Sequence, residues 1–447
     1  MEWSDKQLVM INNIREMQPQ EKQEVQITGD WQEELQKSDK GKVLSNANNV
    51  LVILQNDEKV KGKFAFNLLT NKTEIVGKVP WIRLTEDKGM TDYDDSCLRN
   101  YLSIHYGVKG REIVYDALNQ VVANKKYHPI RDYLLNLEWD GKPRLTHLLI
   151  DFFGAENTEL IRMQTLLTFV AAVKRVLQPG CKWDYVLTLK GDQGLGKSSF
   201  FQKLAVMNDW FNDSLDDMRG KDAKEQLVGN WIIELGEMAA VSKGDQKRIK
   251  QFITSTYDQY RPAYGRRTIS VPRQCVFVAT TNDELPLKDD TGGRRWWIID
   301  VKEKWFEKNF PLEVDQIWAE AVYWYQEMED NNQPLKLPDH LEKEARKIQT
   351  QNTDRGHYAG IIEEVLQRGY YEEYDSMVGM YKKVPINETC ALHVWEKVLG
   401  RYRDQFNTAF ARDINAVLRT LDGWEQVPGR IKFGKYGKQT VYKRKDN

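Results

Sequence analysis

The sequence predicts an α/β protein that carries a small α+β region before its core and a helix–helix–hairpin region after it. Three observations carry that prediction. A G-x-x-x-x-G-K-S run, Gly191 to Ser198, sits between an apolar strand, Tyr185–Leu189, and a helix opening Ser199-Phe200-Phe201. Two later apolar runs, Trp231–Leu235 and Cys275–Thr281, close on polar residues, as strands do at the ligand edge of a parallel sheet. From Ala391 the pattern is helix, turn, helix and a basic hairpin around Gly434-Lys435-Tyr436-Gly437.

The glycine loop has a physical reading. Glycines let consecutive backbone N–H groups curl round a polyphosphate, and the helix N-terminus adds partial positive charge. The candidate nucleotide contacts are therefore Gly191, Asp192, Gln193, Gly194, Leu195, Gly196, Lys197, Ser198 and Ser199. Lys197 is placed to neutralise β/γ-phosphates, and Ser198 to give its hydroxyl to Mg²⁺. The expected cofactors are ATP and Mg²⁺.

At 447 residues the chain has length for about two to four domains. Sixty-five Lys and Arg against 66 Asp and Glu leave the net charge near balance, so only local clusters bear on nucleic acid. Cys97, Cys181, Cys275 and Cys390 form no C-x-x-C pair. That argues against a zinc site or a disulfide framework and fits a reducing cytoplasm. No apolar run reaches the roughly 18–20 residues needed to cross a bilayer, and the N-terminus is too polar for a signal peptide. A cytoplasmic protein without membrane contact is expected.

The chain divides into six stretches. Residues 1–48 are a polar lead-in with helical patterning over Asp5–Met17 and Trp31–Gln36. In 49–127, Val50–Leu54, Phe64–Leu68 and Thr73–Val76 read as short strands, and Asp92–His105 and Arg111–Val122 as amphipathic helices, giving a small α+β accessory domain. Residues 128–180 read as helical (Ile130–Leu137, Arg144–Phe153, Leu160–Leu177), closed by Pro179-Gly180. The nucleotide-binding core spans 181–305, a helical appendage and linker 306–390, and a winged-helix module 391–447. In that module Lys and Arg outnumber Asp and Glu twelve to six, and Lys432, Lys435 and Lys438 are candidate phosphate clamps.

Beyond the glycine loop, the strand Trp231–Leu235 delivers Glu234 and, three residues on, Glu237. One acid is expected to hold the Mg²⁺ shell and one to polarise the attacking water. Glu234 is favoured for both the metal and the water, with Glu237 sharing the task or orienting it, and the division between the two stays open. Asn282, ending the Cys275–Thr281 strand, is a candidate sensor of the γ-phosphate. Arg294 and Arg295, on a glycine turn before Trp296-Trp297, suit an arginine finger.

Lys197 and Asn282 lie only 85 positions apart. With the order Walker A, Walker B, strand-Asn, Arg pair, this resembles the AAA+-like superfamily 3 helicase core. It is similar in more detail to the virulence-associated E family of phage and pathogenicity-island proteins. The residues that carry this likeness are Pro129–Leu134, Leu137–Leu145, Pro179–Tyr185, the loop, the Glu234/Glu237 strand, Asp258–Arg266, Thr281-Asn282 and Thr291–Trp297. Gly293 departs from the pattern, which has Asn before the arginine pair.

The resemblance implies a hexameric motor that moves on DNA in a bacterial host, with a hairpin between Walker B and the sensor strand facing a central pore. Lys250, Arg261, Tyr264, Arg266 and Arg267 fall in that segment. Read as residues, arginines interleaved with tyrosines neutralise phosphates and stack on bases; pairing with a core carboxylate is the alternative for Arg261. No acidic primase triad is visible, so primer synthesis, where it is needed, is expected from another polypeptide, a separate primase. The alternative reading is an ATP-regulated DNA-binding initiator or switch that unwinds little. A small-molecule kinase fits less well, because the Arg pair and strand-Asn follow oligomeric-ATPase order.

Overall fold

A computed structural model describes residues 31–215, 218, 220–236, 246–261, 267–284, 287, 293–304, 310–352, 358–375 and 379–445. The chain forms two compact units. Residues 1–236, 251–280 and 299–338 make the first, and 237–250, 281–298 and 339–447 the second.

The first unit opens with a helix, Ala47–Asn56, followed by β1 (Phe64–Asn67), β2 (Lys72–Ile75), helices Asp92–Tyr106 and Arg111–Asn124, and β3 (Lys126–Tyr127). β1 lies between β2, antiparallel, and β3, parallel. The helix at 47–56 corrects the strand expected over Val50–Leu54. Asn46 caps it by accepting from Asn49 N at 2.8 Å, and Val50, Ile53 and Leu54 bury one helical face. The cap and the i, i+3, i+4 spacing override the β-propensity of valine and isoleucine. The buried Asp57 after this helix accepts from Tyr101 OH (2.5 Å) and Tyr106 OH (2.9 Å), tying it to helix Asp92–Tyr106.

Helices Pro129–Leu135, Leu148–Phe153 and Glu159–Leu177 follow. The last is buried on nearly every side and packs against helix Phe310–Asp330. Next come β4 (Val186–Lys190), helix Lys197–Leu204, β5 (Phe211–Asn212), β6 (Ile232–Leu235), the antiparallel hairpin β7 (Tyr257–Tyr260) and β8 (Ile269–Pro272), β9 (Val276–Thr281) and β10 (Trp296–Asp300). The central sheet has the order β10-β4-β9-β6-β5. β6 is parallel to both β5 and β9, with Glu234 opposite Val278. The near-unbroken apolar runs of β4, β6 and β9 follow from burial on both sheet faces.

In the second unit, helices Asp339–Gln351 and Ala359–Arg368 lead to a hairpin, β11 (Tyr370–Asp375) and β12 (Met380–Pro385), then β13 (Glu388–Cys390). A helical turn, Ala391–His393, runs into a π-helical stretch, Val394–Val398. This is shorter than the helix expected to Tyr402, because Gly400 takes a left-handed φ of 62° and the chain turns away. Helix Thr408–Thr420, β14 (Trp424–Gln426), β15 (Ile431–Lys432), β16 (Lys438–Gln439) and β17 (Val441–Arg444) complete the chain. β17 pairs antiparallel with β13 on one side and β14 on the other, while β15 pairs with β16. One apolar core joins Ile362 and Leu366 to Trp395, Ile414, Leu418 and Tyr442, so helix Ala359–Arg368 shares the core of residues 391–442. Among the described residues, no helix is long and apolar enough to cross a membrane.

Candidate functional site

The glycine loop joins β4 to helix Lys197–Leu204, and its backbone explains its composition. A Cβ on Gly191 would lie 2.3 Å from the Val301 carbonyl oxygen, so no side chain fits there. Gly194 and Gly196 have φ of 87° and 82°, a left-handed backbone that glycine adopts without strain. Gly196 is also the N-cap of the helix, and its carbonyl accepts from Phe200 N at 2.9 Å. Lys197 spans the loop from beneath, donating to the carbonyls of Gly191 (2.7 Å) and Asp192 (2.8 Å). Its side chain is buried. Loss of hydration pushes the ammonium below its ordinary range, against the opposing pull of Asp192 and Glu234.

Glu234, on β6, is 3% exposed. Its Oε1 accepts two hydroxyls, Ser198 Oγ at 2.7 Å and Thr280 Oγ1 at 2.5 Å. Its Oε2 is buried without a hydrogen-bond partner. A buried carboxylate oxygen left so is costly. A hard divalent cation beside Ser198 is the partner this donor set fits, since Mg²⁺ favours one or two protein oxygens and fills its shell with phosphate and water. Among the described residues, no group of three His, Cys, Asp or Glu side chains has metal-binding geometry.

Buried side chains fix the sheet behind this cluster. Arg175, wholly buried, donates to the carbonyls of Cys275 (2.8 Å) and Trp183 (2.9 Å), pinning the approaches to β9 and β4. Trp318 donates to Leu204 O (2.8 Å) at the end of the loop helix, and its ring lies 4.1 Å from that of Trp231, which immediately precedes β6.

The structure therefore brings Lys197, Ser198 and Glu234 together. Thr280, which the sequence reading passed over, belongs with them; its only signal was a Thr-Thr pair closing an apolar strand. Glu237, Tyr264 and Arg266 lie outside the described residues. Asn282 is exposed just beyond β9, and Arg294 (exposed) and Arg295 (half-buried) sit on the turn Gly293–Arg295; all three belong to the second unit. Lys250, half-buried in helix Gln246–Thr254, is also counted there. Arg261 and Arg267 are exposed, flanking the tip of the β7–β8 hairpin. Lys432 and Lys438 face each other across β15–β16, whereas Lys435 pairs with Glu396 at 3.0 Å.

Residues 134–354 match the virulence-associated protein E-like domain. That match takes in the loop, β6, β9 and the arginine pair. No curated protein matches the sequence significantly. Among solved structures, the chain is similar to the apo structure of the NrS-1 C terminal region (305-718), with 14% identity, 85% of this chain and 95% of that one covered, and a TM-score of 0.43. A second, the A form apo structure of the same region, gives 13% identity, 86% and 96% coverage and a TM-score of 0.41.

Proposed function

We propose that the chain is an ATP-dependent DNA translocase or helicase of the superfamily 3 type, acting in replication of a phage or pathogenicity-island element. One observation carries the reading: Ser198 Oγ donates to Glu234 Oε1 at 2.7 Å beneath a glycine arch held by Lys197. A hydroxyl at the head of the loop helix meeting a carboxylate from a neighbouring strand is the arrangement that grips Mg²⁺ beside a nucleotide's phosphates. The match of residues 134–354 to the virulence-associated protein E-like domain supports the setting.

In this reading the loop amides bind the polyphosphate, and Lys197 exchanges the carbonyls of Gly191 and Asp192 for phosphate oxygens. Mg²⁺, when bound, supplies charge neutralisation at the terminal phosphate. Ser198 and Glu234 hold it, Thr280 fixes the Glu234 carboxylate, and Glu237 shares the orientation of the attacking water. Asn282 senses the γ-phosphate, and Arg294 or Arg295 serves a neighbouring subunit of a hexamer. DNA is held by the β7–β8 segment and by the C-terminal module, read as a winged helix. There Lys432 opposite Lys438 places like charges together, a repulsion that a phosphate between them relieves.

The deciding experiment is ATP hydrolysis and unwinding of forked DNA by the full-length chain with Mg²⁺. Hydrolysis and unwinding by the wild type, both abolished in Lys197→Ala, are expected. Hydrolysis without unwinding under any DNA geometry would move the assignment to an ATP-regulated initiator.

A further inference from the structure

The β7–β8 hairpin is joined to the ATPase sheet by a buried ion pair that the nucleotide site does not use. Arg273, 2% exposed, follows β8 directly. Its Nε and Nη2 donate to the two carboxylate oxygens of Asp258 on β7, at 2.9 and 2.6 Å. Its Nη1 donates to the carbonyl of Phe252 in helix Gln246–Thr254, and its guanidinium lies 5.0 Å from the Phe252 ring and 5.4 Å from that of Phe277 on β9. One side chain thus grips the outgoing strand of the hairpin, its incoming strand, the helix before it and the sheet strand after it.

The same β9 carries Thr280, three residues beyond Phe277, onto Glu234. Strand β9 thus engages Glu234 through Thr280 and the Arg273 guanidinium through Phe277, and Arg273 in turn holds Asp258 at the hairpin base. Replacing such a pair by apolar side chains often leaves a fold stable, so stability alone does not call for a bidentate arginine–aspartate lock here. A geometric task does, because a planar fork fixes two strands in one register.

Building on the DNA-motor reading, we propose that Arg273, locked to Asp258, is a positioning residue that couples the state of the Glu234 site to the β7–β8 hairpin. It touches neither nucleotide nor DNA. It transmits a shift of β9 to the hairpin that grips the strand.

The test compares the full-length wild type with the charge-balanced double variant Arg273→Met/Asp258→Leu and with Arg273→Lys, which keeps the buried charge but loses the fork. ATP turnover with Mg²⁺ is measured with and without a mixed-sequence single-stranded oligonucleotide. Hydrogen exchange of the β7–β8 amides is followed with and without a non-hydrolysable ATP analogue. Expected are basal turnover within about twofold of wild type, a loss of DNA stimulation of about tenfold, and hairpin exchange that no longer responds to the analogue. If the wild type is stimulated by DNA and either folded variant is stimulated equally, this role is overturned while the motor reading stands. Wild-type turnover that ignores DNA overturns this role, whereas a wild type that does not unwind forked DNA overturns the motor reading. Should the double variant fail to fold, Arg273→Lys decides by the same two readouts.

Discussion

Glu234 has two hydroxyl donors on one oxygen and none on the other, so the two hydroxyls should be separable by mutation. Thr280→Val removes a hydrogen bond to a charged group, worth about 1.5–3 kcal/mol, and should raise the Mg²⁺ concentration for half-maximal ATP turnover by about tenfold or more, with Thr280→Ser restoring it. A magnesium titration of turnover checks this, and an unchanged requirement in the valine variant removes Thr280 from the site. A second residue sets a pH dependence. His128 accepts from Arg131 N through Nδ1 (3.1 Å), which leaves Nε2 to donate to Gln274 Oε1 (2.5 Å). Burial holds its pKa down at about 4, from an ordinary 6.5. The unfolded chain therefore binds the extra proton first as pH falls. The stability His128 contributes is complete above about 6.5 and is lost towards 4, roughly 3 kcal/mol in all. His128→Asn keeps a cap acceptor without the titration, so urea unfolding of that variant should lose most of this acid-side decline. The grouping of Lys197, Ser198 and Glu234 was legible because a contiguous motif and a strand end bring them side by side. Thr280 was not, since a threonine in an apolar strand reads first as a β-former.

Elements were legible where a single period governs them. β4, β6 and β9 are apolar runs bounded by turn residues, and Glu159–Leu177 and Thr408–Thr420 keep helical spacing throughout. The Ala47–Asn56 helix was hidden because its β-branched residues hold helical spacing only when counted from the Asn46 cap. The β11–β12 hairpin was hidden for another reason. Its central cross-strand pairs are charge against charge, Glu372 opposite Lys383 and Glu373 opposite Lys382, and its aromatic residues flank them without apolar alternation. Caps offer the sharpest check at this scale. Asn407 Oδ1 accepts from Ala409 N (2.9 Å) and Phe410 N (3.0 Å) at the start of helix Thr408–Thr420, and Phe410 stacks on Trp395 with centroids 4.4 Å apart. Asn407→Ala should cost about 1 kcal/mol, read as a lower urea midpoint of the second unit, while Asn407→Asp should be nearly neutral.

For the whole molecule, the near-zero net charge conceals an uneven distribution, with the basic excess gathered after Ala391. Removing residues 358–447 should weaken duplex DNA binding and flatten its salt dependence. Replacing Lys432, Lys435 and Lys438 together by alanine should lower the slope of log affinity against log salt by up to about 3, less if Glu396 keeps Lys435 engaged. Equal slopes would assign this region to protein docking. The site of truncation matters. A chain ending at 390 keeps Ile362 and Leu366 but strips them of Trp395, Leu418 and Tyr442, so it should be less soluble than one ending at 357. The order of regions along the chain could be read from composition and motifs, but their threading could not, because local periodicity holds no record of which distant segments share a core. That threading reaches into biosynthesis. The chain passes between the two units five times. Neither unit can close as it leaves the ribosome until a late piece arrives: 299–338 for the first, 339–447 for the second. Early segments should thus wait, partly built and exposed, for their late partners, and call on chaperones in proportion to that delay.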